Sequence, residues 1–94
     1  MVKTEPFDAA RHLVSPQSQT ELLNDALASG DAPYIAHALG VIARARGMTE
    51  VAREAGVTRE ALYKSLSEDG DPRLTTLMGV TRALGVTLSA NLTP

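Results

Sequence analysis

Met48-Thr49-Glu50-Val51-Ala52-Arg53-Glu54-Ala55-Gly56-Val57-Thr58-Arg59-Glu60-Ala61-Leu62-Tyr63-Lys64-Ser65-Leu66 is the stretch on which the reading of this chain turns. Gly56 divides it into two short helical patterns. Two helices joined by a tight turn cross closely, so the first needs a small residue at the crossing, and Ala52 supplies it. The turn needs a residue that takes a positive φ without steric penalty, and Gly56 follows four positions later. Val57 can plug the turn into the core. Thr58 is a favourable N-cap for the second helix, and Glu60 suits the positive end of that helix. Leu62 and Leu66, one turn apart, face back toward the first helix. The spacing predicts a helix-turn-helix over residues 48–67.

With those two leucines inward, Arg59, Glu60, Tyr63 and Lys64 point outward. These side chains match nucleic-acid chemistry. Arginine donates two hydrogen bonds to guanine, glutamate accepts from cytosine N4, and tyrosine and lysine reach phosphates or base edges. The N-terminal half of such a helix enters the major groove. Thr58, Arg59, Glu60 and Tyr63 are therefore the candidate base contacts, and Thr49, Arg53, Lys64 and Arg73 the candidate phosphate contacts. Two short helices joined at a glycine also occur in proteins that never touch DNA, and the spacing alone leaves that reading open. Two details depart from a strong motif. Ser65 stands where a larger apolar residue is common, and Thr49 lies close to Gly56 for a capping residue, which puts the start of the first helix at Gly47 or Met48.

The flanking sequence is helical as well. Phe7, Ala10, Leu13 and Val14 follow Pro6 at helical spacing, and Ser15-Pro16 breaks that pattern. Ser18-Gln19-Thr20-Glu21 reads as a capping box, followed by an apolar face on Leu22, Leu23, Ala26 and Leu27, with Gly30 as the stop. Asp31 is placed to cap a third helix with Pro33 in its first turn. Ile35, Ala38, Leu39 and Ile42 form its core-facing stripe, Arg44 and Arg46 suit its negative end, and Gly47 ends it. Glu68-Asp69-Gly70-Asp71-Pro72 is a polar turn. Leu74, Leu77, Met78 and Leu84 mark a last helix that stops at Gly85. In the tail, Val86, Leu88, Ala90 and Leu92 alternate with polar residues, and period two predicts a strand over 86–93. A lone strand leaves its backbone groups without partners, which a second copy would supply. Those four apolar residues are therefore the candidate dimerisation residues. The expected fold is all-α, with about five helices and this short C-terminal strand. It forms one domain over 1–94, with an N-terminal helical region at 5–30 and a core at 31–85.

Composition agrees with a small helical domain. The chain has 94 residues, of which 44% are hydrophobic, enough for one core. Phe7, Tyr34 and Tyr63 are its only aromatics, so that core must be aliphatic. The absence of cysteine excludes a disulfide framework, a thiolate zinc site and a cysteine nucleophile. No apolar run approaches the ~20 residues of a membrane span, and Met1-Val2-Lys3-Thr4-Glu5-Pro6 lacks the apolar core of a signal peptide. A cytoplasmic protein is expected. His12 and His37 fall on different predicted helices, and a metal site needs more ligands at fitting spacing. The serines lack a nucleophile motif, and Glu68-Asp69-Gly70-Asp71 lacks the ligand order of a calcium loop. No catalytic residue, metal site or cofactor is expected.

The formal net charge is -2, which does not favour nucleic acid, but the charge is unevenly distributed. Residues 1–35 carry two bases and five acids, residues 36–64 five bases and three acids, and the remainder two bases and three acids. A basic middle and acidic flanks suit a chain with two different surfaces. The acidic N-terminal region suits a basic partner, since complementary charge speeds encounter and sets specificity.

The run from Ala43 to Ser67, with Phe7-Asp8-Ala9-Ala10 upstream and Gly70-Asp71-Pro72 and Leu84-Gly85-Val86 downstream, resembles the addiction-module antidote family. That family is HigA-like, with a λ-repressor-like (XRE) helix-turn-helix. The resemblance covers nearly the whole chain, and a short first helix is itself a trait of the family. It implies an antitoxin of a type II toxin–antitoxin pair. The partner it implies is a small basic toxin of the RelE/ParE superfamily, HigB-like, neutralised by direct binding. It also implies that the pair represses its own operon by binding operator DNA. A homodimer, expected from the tail, would set two recognition helices in successive major grooves of a palindromic operator. Two alternatives stand beside it. One is a stand-alone or prophage repressor without a toxin; the other is an interaction protein whose helix-turn-helix is only structural.

Overall fold

A computed structural model describes residues 15–93. The helix predicted on Phe7, Ala10, Leu13 and Val14 lies outside the described residues. Five helices are described: α1 (Pro16–Ser29), α2 (Ala32–Arg46), α3 (Met48–Ala55), α4 (Arg59–Ser65) and α5 (Leu74–Leu84). None is long and apolar enough to cross a membrane.

The start of α1 corrects the sequence reading. Ser15-Pro16 opens this helix instead of only ending the one before. The Ser15 hydroxyl accepts from the Ser18 N–H at 3.1 Å, with Pro16 in the first turn. Proline suits that position because its fixed φ is helical and its missing N–H would have had no partner there. The proposed capping box therefore lies inside the helix, and Glu21 accepts instead from the Gln17 side chain at 3.4 Å.

α2 is the central helix. Ala36, Ala38, Leu39, Gly40, Val41, Ile42 and Ala43 are all buried, a wider band than the predicted stripe, while Ile35 is only half-buried. The band is wide because α1, α3 and α5 all pack against this helix. Asp31 occupies its N-cap position without making a side-chain capping bond. Across the α1–α2 junction, the Tyr34 hydroxyl donates to Asp25 at 2.6 Å. That bond to a carboxylate raises the phenol's pKa. At the far end of α2, the Arg46 guanidinium donates to the carbonyls of Leu84, at 3.2 Å, and Ala83, at 3.4 Å. It thereby ties α2 to the C-terminal end of α5.

α3 and α4 meet at the predicted turn. Gly56 is left-handed, with φ 78 and ψ 27. Its N–H donates to the Arg53 carbonyl at 3.2 Å, and the Val57 N–H donates to Ala52 at 3.0 Å. These two bonds satisfy carbonyls that a helix end otherwise leaves open. Val57 is half-buried against the core, and Thr58 caps α4 by accepting from the Ala61 N–H at 3.0 Å. A Cβ on Gly56 would meet no heavy atom within 4 Å. Gly56→Ala should therefore cost only the left-handed backbone penalty, ~1–2 kcal/mol, read as a lower urea midpoint at unchanged slope. A loss below ~0.5 kcal/mol, the range of ordinary surface substitutions, would contradict the left-handed turn.

Ala52 is buried as the crossing requires, and a further close backbone approach joins α3 to α5. A Cβ on Gly79 of α5 would sit 3.1 Å from the Ala55 carbonyl oxygen and 3.2 Å from its Cα. Glycine at 79 thus lets α5 lie flat on α3, the most extensive helix contact among the described residues. The core is aliphatic. Leu39, Ile42, Val51, Leu62 and Val80 are its largest fully buried side chains.

The predicted C-terminal strand is not formed. Gly85 ends α5 with φ 72, the Val86 N–H donates to Thr81 at 2.8 Å, and Val86 packs on the core. Beyond it, residues 87–93 make no backbone–backbone hydrogen bond among the described residues. Leu88 is exposed, and Leu92 is 96% exposed. The alternation is present in the sequence, but a strand needs the ladder of a neighbouring strand, and the described residues, all helix or connection, offer no sheet edge.

Candidate nucleic-acid interface

α4 has seven residues, too short to be a stable helix without tertiary contacts. It is held by Leu62, 0% exposed, and by Leu66, 3% exposed at its C-terminal cap. Anchoring those two side chains sets the rotation of the helix. Arg59, Glu60, Tyr63 and Lys64 are then all exposed, as the helical period requires. Thr58 is exposed too, but its oxygen is committed to the cap, which leaves the hydroxyl proton as its free donor. Ser65, the apparent departure from a strong motif, donates to the Ala61 carbonyl at 2.7 Å. Its hydroxyl is therefore satisfied within α4, and no larger side chain is needed to cover an open group.

Arg59 and Tyr63, one turn apart, form a pair. The guanidinium carbon lies 5.3 Å from the ring centroid, and Arg59 donates to the Tyr63 oxygen at 3.5 Å. A cation over an aromatic face gains modestly at an exposed site. Here the contact lays Arg59 along the outer face of α4. The pairing was legible in the four-residue spacing of a cation and an aromatic on one helix, but the sequence reading treated the two separately.

On α3, Thr49 and Arg53 are exposed and lie one turn apart. The helix begins at Met48 with Gly47 in the cap position, as the place of Thr49 suggested. Arg53 is already engaged in an exposed ion pair with Glu50. The Arg53 guanidinium donating to Glu50 holds that carboxyl below the usual carboxylate range, and Glu50 in turn raises Arg53. A phosphate at Arg53 would have to compete with Glu50. The i, i+3 spacing of these opposite charges was the available signal. Lys64 is exposed in the last turn of α4, and Arg73 is exposed at the N-cap position of α5 without a side-chain capping bond. The structure thus groups five candidates on α4 and two on α3, and places Arg73 on a separate connection.

The sequence reading did not anticipate a cleft of about 590 Å³ between α1, the end of α2 and the tail. Leu23, Leu27, Leu84 and Leu88 supply much of its apolar lining, and none of the eight nucleic-acid candidates lines it.

A sequence model described as "Probable addiction module antidote protein" matches residues 3–92, a span that includes every candidate above. An uncharacterized protein of Haemophilus influenzae is 46% identical over 80 residues, which is 85% of this chain and 82% of that protein. No solved structure matches. The family match runs from ahead of α1 through the α3–α4 pair to the tail, so the chain as a whole belongs to the family of probable addiction module antidote proteins.

Proposed function

We propose that the protein is the antitoxin of a type II toxin–antitoxin module. In this reading it binds and neutralises a small basic toxin of the RelE/ParE superfamily, HigB-like, and represses its own operon through α3 and α4 as a λ-repressor-like helix-turn-helix. The observation that carries the DNA half is the rotation of α4. Burial of Leu62 and Leu66 leaves Arg59, Glu60, Tyr63 and Lys64 on one exposed arc. That arc offers fork donors, an acceptor and a point charge to base edges and phosphates. The family supports the antidote half. Residues 15–43 contain no lysine or arginine but include Glu21, Asp25 and Asp31, which suits a basic partner.

A homodimer completes the DNA-binding arrangement. One module of this size buries only ~600–1,000 Å² on DNA, whereas two copies reach successive major grooves about 34 Å apart on a palindrome. Titrating the protein against the DNA upstream of its own gene tests repression directly. Affinity no greater than for unrelated duplex would overturn that half. Lys64→Ala should weaken promoter and unrelated DNA alike and lower the salt slope by about 1. A loss confined to the promoter would move Lys64 from phosphate to base contact. Co-expression with the product of the neighbouring gene, followed by co-purification, tests the toxin. Promoter binding without such a complex would favour the stand-alone repressor.

A further inference from the structure

The exposed large apolar side chains among the described residues are Leu27, Tyr63, Leu74, Met78, Leu88 and Leu92. Leu74 and Met78 differ from the rest because they lie one turn apart on the outer side of a single helix, α5. They are 70% and 45% exposed, while Gly79, Val80, Thr81 and Leu84 of the same helix are buried. At ~100° per residue, Leu74, Met78 and Arg82 share an arc of about 80°. Asp71 lies just ahead of the helix. Neither Asp71 nor Arg82 has an ion-pair or side-chain hydrogen-bond partner among the described residues. The stripe is therefore apolar at its centre and basic at its C-terminal end, and the connection just before it carries Glu68, Asp69 and Asp71 against the single base Arg73, so that end is acidic in balance.

We propose that this face of α5 is where a second copy of the chain docks, with the two α5 helices antiparallel about a two-fold axis at Met78. Such an interface uses the same patch on both copies and must be self-complementary. The charge order of this stripe meets that requirement. Met78 meets its own copy near the middle of the helix. Leu74 falls against the aliphatic stem of Arg82 across the axis, where an arginine can cover apolar surface while its head stays in water. The acidic connection ahead of each α5 lies at the same end as that guanidinium. A parallel arrangement would instead set like charges together at both ends. α5 also lies flat on α3 at Gly79 and Ala55, so joining two α5 helices fixes the spacing of the two α3–α4 units. The contact is one short helix per copy and falls below the ~1,200 Å² of a standard stable interface. The dimer is accordingly weak in free solution and is consolidated on a two-half-site operator. That last clause rests on the DNA-binding reading above, whereas the surface itself does not.

The chain has no cysteine, so one introduced thiol reports one position. Met78→Cys under mild oxidation should give a disulfide-linked dimer, while Leu92→Cys in the tail and Leu27→Cys in the cleft remain monomers. Adding Leu74→Lys to Met78→Cys should cut the yield about tenfold, or ~1.4 kcal/mol, because it sets a second cation against the facing Arg82 and removes the apolar contact. All four sites are exposed, and unchanged circular dichroism confirms the fold. Cross-linking of Met78→Cys no greater than that of Leu27→Cys would overturn the proposal, as would preferential cross-linking at Leu92, which would assign the interface to the tail. The cross-linked species is then titrated on promoter DNA. A linked dimer that ignores the promoter keeps this interface and overturns the DNA reading. A promoter-binding chain that never links at 78 does the reverse.

Discussion

Leu62→Ala is expected to destabilise the protein by ~2–5 kcal/mol, the range for removing most of a buried leucine side chain. Leu62 is fully buried among Leu39, Val51, Ala52 and the rest of the core. It is also one of only two buried side chains attaching α4, since Leu66 at the cap is the other. A helix of seven residues gains almost nothing from its own hydrogen bonds, so loosening this anchor should release the whole element. Against the ~5–15 kcal/mol that holds an ordinary domain together, the loss is large. Urea unfolding followed by circular dichroism measures it, and Lys64→Ala on the exposed side of the same helix should stay within ~0.5 kcal/mol of the parent. A Leu62→Ala loss under ~1 kcal/mol would mean that α4 is not held by this contact, and the orientation of the candidate reading face would fall with it.

Arg59→Ala is the second large effect, and it should appear in binding rather than stability. An arginine reading a base is expected to contribute ~1–3 kcal/mol, about 5- to 150-fold in affinity. The loss should be greater on the promoter than on unrelated DNA, so the ratio between the two narrows. The side chain is exposed, and its partner within the chain is the equally exposed Tyr63. Thermal unfolding should therefore barely move. Equal losses on both DNAs would reduce Arg59 to a phosphate contact, and no loss on either would remove it from the site.

Glycine at 30, 47, 56 and 85 marked helix ends in advance because each stands where an apolar period stops, and each does cap a helix. The inward turn of Leu62 and Leu66, and with it the exposure of Arg59, Glu60, Tyr63 and Lys64, followed from the helical period alone. Both inferences depend on interactions within a few residues, which is why a single sequence shows them. The start of α1 is a local feature that was misread. Ser15 and Ser18 are both credible caps three residues apart, and Pro16 decides between them because it suits the first turn. The ion pair that occupies Arg53 is equally local, since Glu50 and Arg53 are opposite charges at i, i+3 on one helix.

Other features depend on residues distant in the chain. The burial of α2 beyond its predicted stripe requires neighbours on several sides, and periodicity can report only one. The approach of Gly79 to Ala55 joins two helices whose residues are far apart in sequence. The tail has the alternation of a strand, but alternation describes only which side chains share a face. Whether a strand forms depends on a partner's backbone hydrogen bonds, and none of the described helices can supply them. Helix ends and the outward side of α4 are thus legible along the chain, because capping and helical period are set by near neighbours. The width of the core, the tail's lack of a strand among the described residues, and the exposure of Leu74 and Met78 emerge only from packing, because each depends on what the fold brings alongside.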